Sequence, residues 1–293
     1  MSPAPKALLF GTAGVPLSSD DSSSVQGIDR TSALGLDCQE IEFVNGVKMG
    51  LDTARKVAAK ASALKIRLSV HAPYFINLNS DDRGKRLQSQ ERILASARVA
   101  HACGAVSAVF HAGFYGKASP EQAFIEIRKE LAQVVSILRA ERVPVTLRAE
   151  TMGKKSQFGT LEEILLLCRE IDGLQPCLDF SHIHAREGKF NSYEEFSRVL
   201  SKVEKKLGRA ALRNAHIHIS GAYYSEAGEL KHLNLLESDF HFDDWIQALR
   251  DFDVQGSVIC ESPNREEDAL MLKKLYLAQK EKSDDHGPSP ARE

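Results

Sequence analysis

The chain has 293 residues, 43% apolar and 27% charged, which is ordinary for a globular protein and enough for one large core. Its net charge of −2 excludes a surface that is basic throughout; one basic cleft stays open, and bound divalent metals add positive charge the formal count omits. No apolar run approaches the roughly 20 residues of a membrane span, and MSPAPKALLFG lacks the apolar stretch of a secretory signal.

Cys38, Cys103, Cys168, Cys177 and Cys260 are an odd set without C-x-x-C spacing, and three of them fall inside strand-like runs. They read as reduced, buried thiols of an intracellular, cytoplasmic protein.

Taken in chain order, strand-like runs fall near Ala7–Gly11, Cys38–Val44, Arg67–His71, Ala105–His111, Pro144–Glu150, Pro176–Phe180, Ala215–Ser220 and Ser257–Glu261. Segments of helical period separate them. The clearest is Glu121–Arg142, where Phe124, Ile127, Leu131, Val134, Val135 and Leu138 make one stripe behind the start signal Ser119-Pro120. Capping boxes at Thr160-x-x-Glu163 and Ser192-x-x-Glu195 open two more helices, and Asn264 is the expected cap ahead of Glu266 and Glu267.

Strand and helix alternating eight times imply parallel strands joined by right-handed crossovers. At this length the closure is an α/β fold, the (β/α)8 TIM barrel, as one domain over residues 1–280, with a polar tail at 281–293 read as disordered. A doubly wound sheet would bring a G-x-G-x-x-G first turn, which Gly11-Thr12-Ala13-Gly14-Val15-Pro16 does not match.

Two connections are long enough to reach over a ligand at the C-terminal face. Ala72–Lys85 carries Tyr74, Asn77, Asn79, Arg83 and Lys85; Gly221–Phe240 carries Tyr223, Tyr224, Glu226, Glu229, Lys231 and His232. Aromatic and basic residues together suit a stacked or phosphate-bearing ligand.

Six of the strand-like runs end on a histidine or carboxylate: His71, His111, Glu150, Asp179 with His182, His216 with His218, and Glu261. Parallel barrel strands deliver their C-terminal ends to one mouth. So many carboxylates and imidazoles would repel or stay unpaired there unless cations held them. Imidazole and carboxylate without thiolate suit zinc, with manganese or iron as substitutes. More than four ligands imply more than one ion, and a carboxylate bridging two ions about 3.5–4 Å apart suits phosphodiester hydrolysis by an activated hydroxide.

At this point the residues resemble a known family. His71-Ala-Pro-Tyr74-Phe-Ile-Asn77-Leu resembles the H-x-x-Y-hydrophobic-I-N motif of the endonuclease IV family of zinc-dependent abasic-site endonucleases, and Cys177-Leu-Asp179-Phe-Ser-His182 resembles its C-hydrophobic-D-T-C-H motif, with Phe180 and Ser181 as departures. The similarity runs from the first strand to Glu261. It implies a DNA-repair enzyme that cuts duplex DNA 5′ to an abasic site, with two or three zinc ions. It also implies a protein that sits on the nucleoid through DNA, with monomer as the default state and no membrane.

By the same resemblance His71, His111 and Glu150 hold one ion. Glu150 bridges to a second, completed by Asp179, His218 and Glu261, and His182 and His232 serve the third. Glu150 and Glu261 act in catalysis, and Tyr74 and Asn77 bind substrate. His218 aligns with the family's H-x-N-D strand better than His216, which is a candidate partner behind the ligands. The family's N-D-x-K continuation is missing. Where the family places an aspartate two residues before the final histidine, this chain has Leu230, so Glu229 is the nearest replacement ligand, with Asp239 or His241 farther along. Glu40 and Glu42 share a face of the second strand and are expected to point inward.

A rival reading is a xylose-isomerase-like sugar isomerase or epimerase with Glu150, Asp179, His218 and Glu261 on one divalent ion. His71, His111, His182 and His232 would then bind or transform sugar. A third is a barrel that binds damaged DNA without cutting it.

Overall fold

The computed structural model of the protein describes residues 5–284. Its first half comprises β1 (Leu8–Ala13), α1 (Ser24–Ala33), β2 (Cys38–Glu42), α2 (Leu51–Leu64), β3 (Arg67–His71), α3 (Arg83–Ala102), β4 (Ser107–Phe110), α4 (Pro120–Ala140) and β5 (Thr146–Glu150). The second half adds α5 (Leu161–Glu170), β6 (Leu174–Asp179), α6 (Phe180–Glu187), α7 (Tyr193–Leu207), α8 (Arg209–Arg213), β7 (Ala215–Ile219), β8 (Gly221–Ser225), β9 (Gly228–Leu233), α9 (Phe242–Asp251), β10 (Gly256–Cys260) and α10 (Glu266–Asp284). Eight parallel strands close in the order β1-β10-β7-β6-β5-β4-β3-β2, the TIM barrel expected from the alternation. None of the described helices is long and apolar enough to cross a membrane, and all five cysteines are free and buried.

The apolar core lies between the barrel wall and the helices, where outward-facing strand residues such as Leu68, Val70, Leu147, Ile217 and Val258 meet the buried helix stripes. Trp245 of α9 packs edge-on against Phe180 at 5.9 Å and Phe240 at 6.3 Å between ring centroids. The inside of the barrel is polar instead of the usual bulky aliphatic layers: Glu40, Ser69, Arg148, His216 and His218 are all buried. Arg148 closes the lower end by donating to the Pro176 and Asn214 carbonyls. Gly11 is needed in β1 because a Cβ there would lie 1.7 Å from the Cys38 carbonyl oxygen.

Several local expectations need correction. Gly221–Phe240 is no simple loop, since β8 and β9 form an antiparallel hairpin that leaves the barrel mouth. Ser119 and Thr160 head complete capping boxes, but the Ser192 side chain does not cap its helix; Glu195 instead reaches back to accept from the Asn191 N–H at 2.9 Å. Asn264 does not cap through its oxygen either, because its Oδ1 has no partner and its Nδ2 donates to Asp268. The predicted tail begins inside α10, which continues to Asp284, and residues 285–293 lie outside the described residues.

Candidate metal centre

Five strands deliver their chemistry by the same local rule, a buried strand whose C-terminal end turns a polar residue to the mouth, whereas His218 sits one residue inside the end of β7. His71, Glu150 and Asp179 are the last residues of β3, β5 and β6, and His111 and Glu261 each follow a strand by one residue. Asp179 also caps α6, accepting the His182 N–H through Oδ1 at 2.7 Å. That bond aims its second oxygen elsewhere, and Asp179 Oδ2 is buried with no hydrogen-bond partner.

Four donor groups result among the described residues, each with its ligand atoms within 4.8 Å of one another; one is Cys177, His216 and His218, and the other three draw on the strand ends and the hairpin. The first is His71, His111 and Glu150, with Glu150 Oε2 at 3.1 Å from His71 Nε2 and 3.0 Å from His111 Nε2. The second is Glu150, Asp179, His218 and Glu261, where His218 Nδ1 lies 3.3 Å from Glu150 Oε1 and 3.4 Å from Glu261 Oε1. The third is His182, Glu229 and His232. Glu150 belongs to the first two, and its Oε1 also lies 3.3 Å from His182 Nδ1.

The third group departs from the expected spacing for a physical reason. In the hairpin, Tyr223 pairs with Lys231 and Tyr224 with Glu229, so Leu230 is an extra residue, a β-bulge on β9. The bulge rotates the strand so that Glu229 and His232, three apart, face the same side, with Glu229 Oε2 at 3.2 Å from His182 Nε2 and Oε1 at 2.9 Å from His232 Nε2. Leu230 itself is 53% exposed. Asp239 and His241 do not join this group: Asp239 contacts His184 and accepts from the Tyr224 hydroxyl, and His241 precedes α9.

Close backbone approach seats the hairpin. Glu229 N–H donates to the Gly153 carbonyl at 3.1 Å, and a Cβ on Gly153 would sit 2.8 Å from Glu229 Cβ and 2.9 Å from His182 Cδ2. Gly153→Ala is therefore expected to weaken metal binding at the third group about 10-fold or more while sparing the other two, read by competitive chelator titration. Equal weakening at every group would contradict this.

The electrostatics are those of acids and imidazoles crowded together out of water. Burial penalises the Glu150 charge, yet His111 and His218 hold its carboxyl well below the usual range. Burial pushes the Asp179 carboxyl up to about 6 and that of Glu42 up to about 8. Burial also works against charge on His71 and His232, but Glu150 raises the first to about 10 and Glu229 raises the second to about 9. A buried carboxylate oxygen without a donor, among imidazole and carboxylate ligands of metal-binding spacing, fits divalent ions of the zinc type.

Tyr74 lies over the first group, its ring 5.4 Å from both His71 and His111 and 45% exposed. Asn77 Oδ1 accepts from the Asn79 and Phe114 N–H groups and braces two loops. His216 is not among the ligands of the second group but contacts Glu40 Oε2 at 2.9 Å. A cavity of about 420 Å³ opens beside the centre, lined in part by Gln39, Glu42, Tyr74, His232, Glu261 and Arg265. The bulge, Gly153 and the backbone carbonyls that orient the histidines left no side-chain signal in the sequence; only the glycine three residues past Glu150 could have hinted at a close approach.

Residues 28–281 match the family model described as the xylose isomerase-like TIM barrel. An uncharacterized protein of Methanocaldococcus jannaschii is 45% identical over 92% of this chain and 97% of its own length. A probable endonuclease 4 of Mycoplasma pneumoniae is 26% identical over 74% of this chain and 75% of its own. Among solved structures, endonuclease IV from Thermus thermophilus superposes with a TM-score of 0.71 at 19% identity, covering 92% of this chain and 99% of that one. A D-tagatose 3-epimerase-like protein superposes equally, with a TM-score of 0.71 at 18% identity over 94% of this chain and 100% of that one. The chain belongs to the xylose isomerase-like TIM barrel family, with endonuclease 4 proteins among its relatives.

Proposed function

We propose that this protein is a metal-dependent endonuclease that hydrolyses the DNA backbone 5′ to abasic sites and leaves a 3′-hydroxyl. The observation that carries this reading is Glu150 shared between two donor groups with a third group alongside, a set too large for one ion. The endonuclease 4 relatives support DNA as the substrate. His71, His111 and Glu150 would hold one ion, Glu150, Asp179, His218 and Glu261 a second, and His182, Glu229 and His232 a third. Zinc is the natural occupant, with manganese or iron as substitutes. Bound there, such ions supply Lewis-acid stabilisation of phosphoryl oxygens and a water that ionises near neutral pH.

The protein's own residues supply the rest. Tyr74 offers an exposed aromatic face beside the first group, where a flipped baseless sugar can pack. Glu261, which lines the cavity, would take the proton of the attacking water on its carboxylate. Exposed Lys154 and Lys155, on the loop after β5, offer charge to the strand backbone.

The test is incision of a duplex carrying one tetrahydrofuran abasic mimic. Zinc- or manganese-loaded protein is expected to nick it on the 5′ side and to lose that activity with chelator; an intact duplex at enzyme excess refutes the reading. A sugar isomerase or epimerase is the second reading, because Glu150, Asp179, His218 and Glu261 alone make a complete one-ion set beside a cavity of small-molecule size. It predicts one ion per chain.

A further inference from the structure

The histidines of the centre are not all turned the same way. His71, His182 and His232 each place Nδ1 against a backbone carbonyl, those of Ala72 at 2.7 Å, Thr151 at 3.0 Å and Glu261 at 3.2 Å. A carbonyl only accepts, so Nδ1 carries the proton in each and Nε2 is left to bind an ion. His218 is reversed. Its Nδ1 faces Glu150 and Glu261, and its Nε2 points down into the barrel, 2.9 Å from Glu40 Oε1. The ring N–H is turned off that line, so the contact falls short of hydrogen-bond geometry, and neither atom has any hydrogen-bond partner.

Glu40 is itself fixed from below. Ser69 donates to its Oε2 at 2.6 Å, and His216 Nε2 lies 2.9 Å from the same oxygen. Glu40 is fully buried, and Ser69, His216 and His218 are each at most 3% exposed, so water does not compete for these contacts. A carboxylate oxygen accepts, so His216 Nε2 carries the proton in this contact and donates it.

We infer that Glu40 is a positioning residue for the second donor group: it takes the Nε2–H of His218, fixes the tautomer that frees Nδ1, and makes that nitrogen a stronger ligand. Ser69 and His216 act through it, by holding the carboxylate in place. A carboxylate behind a ligating imidazole orients the ring and raises its basicity, and losing such a partner costs about 10- to 100-fold in metal affinity. The inference rests on the metal-binding reading of the centre and not on the identity of the substrate.

The experiment is a zinc titration against chelators of graded strength, with thermal melting as the fold control. Glu40→Gln keeps the volume and removes the charge. It is expected to weaken one ion about 10- to 100-fold and leave the others unchanged, whereas a general structural defect weakens them all together with the melting temperature. Ser69→Ala, which leaves Glu40 present but less tied, shifts the same ion in the same direction by a smaller factor and serves if Glu40→Gln does not fold. Adding His216→Asn to Glu40→Gln produces no further loss, because His216 acts through Glu40.

Unchanged affinity in both Glu40→Gln and Ser69→Ala overturns the proposal. So does an additional ion in the wild type that Glu40→Gln and His216→Asn each remove. Cys177, His216 and His218 also form a donor group, and Glu40 would then be a ligand beside them. Wild-type protein that holds no ion overturns the metal reading itself. Protein that holds its ions under Glu40 control but does not cut abasic DNA refutes only the nuclease.

Discussion

Glu150→Gln removes two ions at once and lowers abasic-site incision by at least on the order of 10³-fold. Glu150 places one oxygen 3.1 and 3.0 Å from the ligand nitrogens of His71 and His111 and the other 3.3 Å from His218 Nδ1. A glutamine keeps the shape but loses the charge, and one of its ends becomes a donor facing imidazole nitrogens or a cation. Metal analysis after dialysis should find only the ion of the third group, with the fold intact by circular dichroism. His111→Ala makes the comparison sharp: it touches only the first group, so it should cost a single ion. If Glu150→Gln loses no more metal than His111→Ala, the carboxylate is not shared.

Glu229→Ala empties the third group and lowers incision about 10²-fold, while the first two groups keep their ions. Both Glu229 oxygens are committed, one to each histidine of the group. Adding Leu230→Asp does not rescue the loss, because Leu230 is the bulged residue and faces outward. Deleting Leu230 while changing Glu229 to Asp removes the bulge and sets the carboxylate two residues before His232, and this variant should regain the ion. Rescue by Leu230→Asp with the bulge retained would show that the hairpin register is different.

Most of the barrel was readable because its strands are buried runs bounded by turn residues, and that pattern survives errors of one or two residues at each end. The convergence of His71, Glu150 and Asp179 follows directly, since each is the last residue of its strand. The hairpin was not readable. Residues of Gly221–Ser225 and Gly228–Leu233 face solvent without clean alternation, so their burial period is neither 2 nor 3.6.

The bulge was invisible for a related reason. A carboxylate one residue off its expected position carries no meaning until the strand's facing is known, and one extra residue inverts that facing. Glu40 shows the limit from the other side. Alternation on β2 put it inside the barrel, but nothing local to β2 tells that His216 and His218 from β7 close on it across the interior. Long-range polar networks are written in residues 176 positions apart.

The count of tightly bound ions per chain is the most direct test of the whole account. Protein loaded with zinc, dialysed against metal-free buffer and measured by elemental mass spectrometry is expected to hold three ions, one for each of the groups built on Glu150 and Glu229. A single ion per chain would contradict it and would return the centre to the isomerase type.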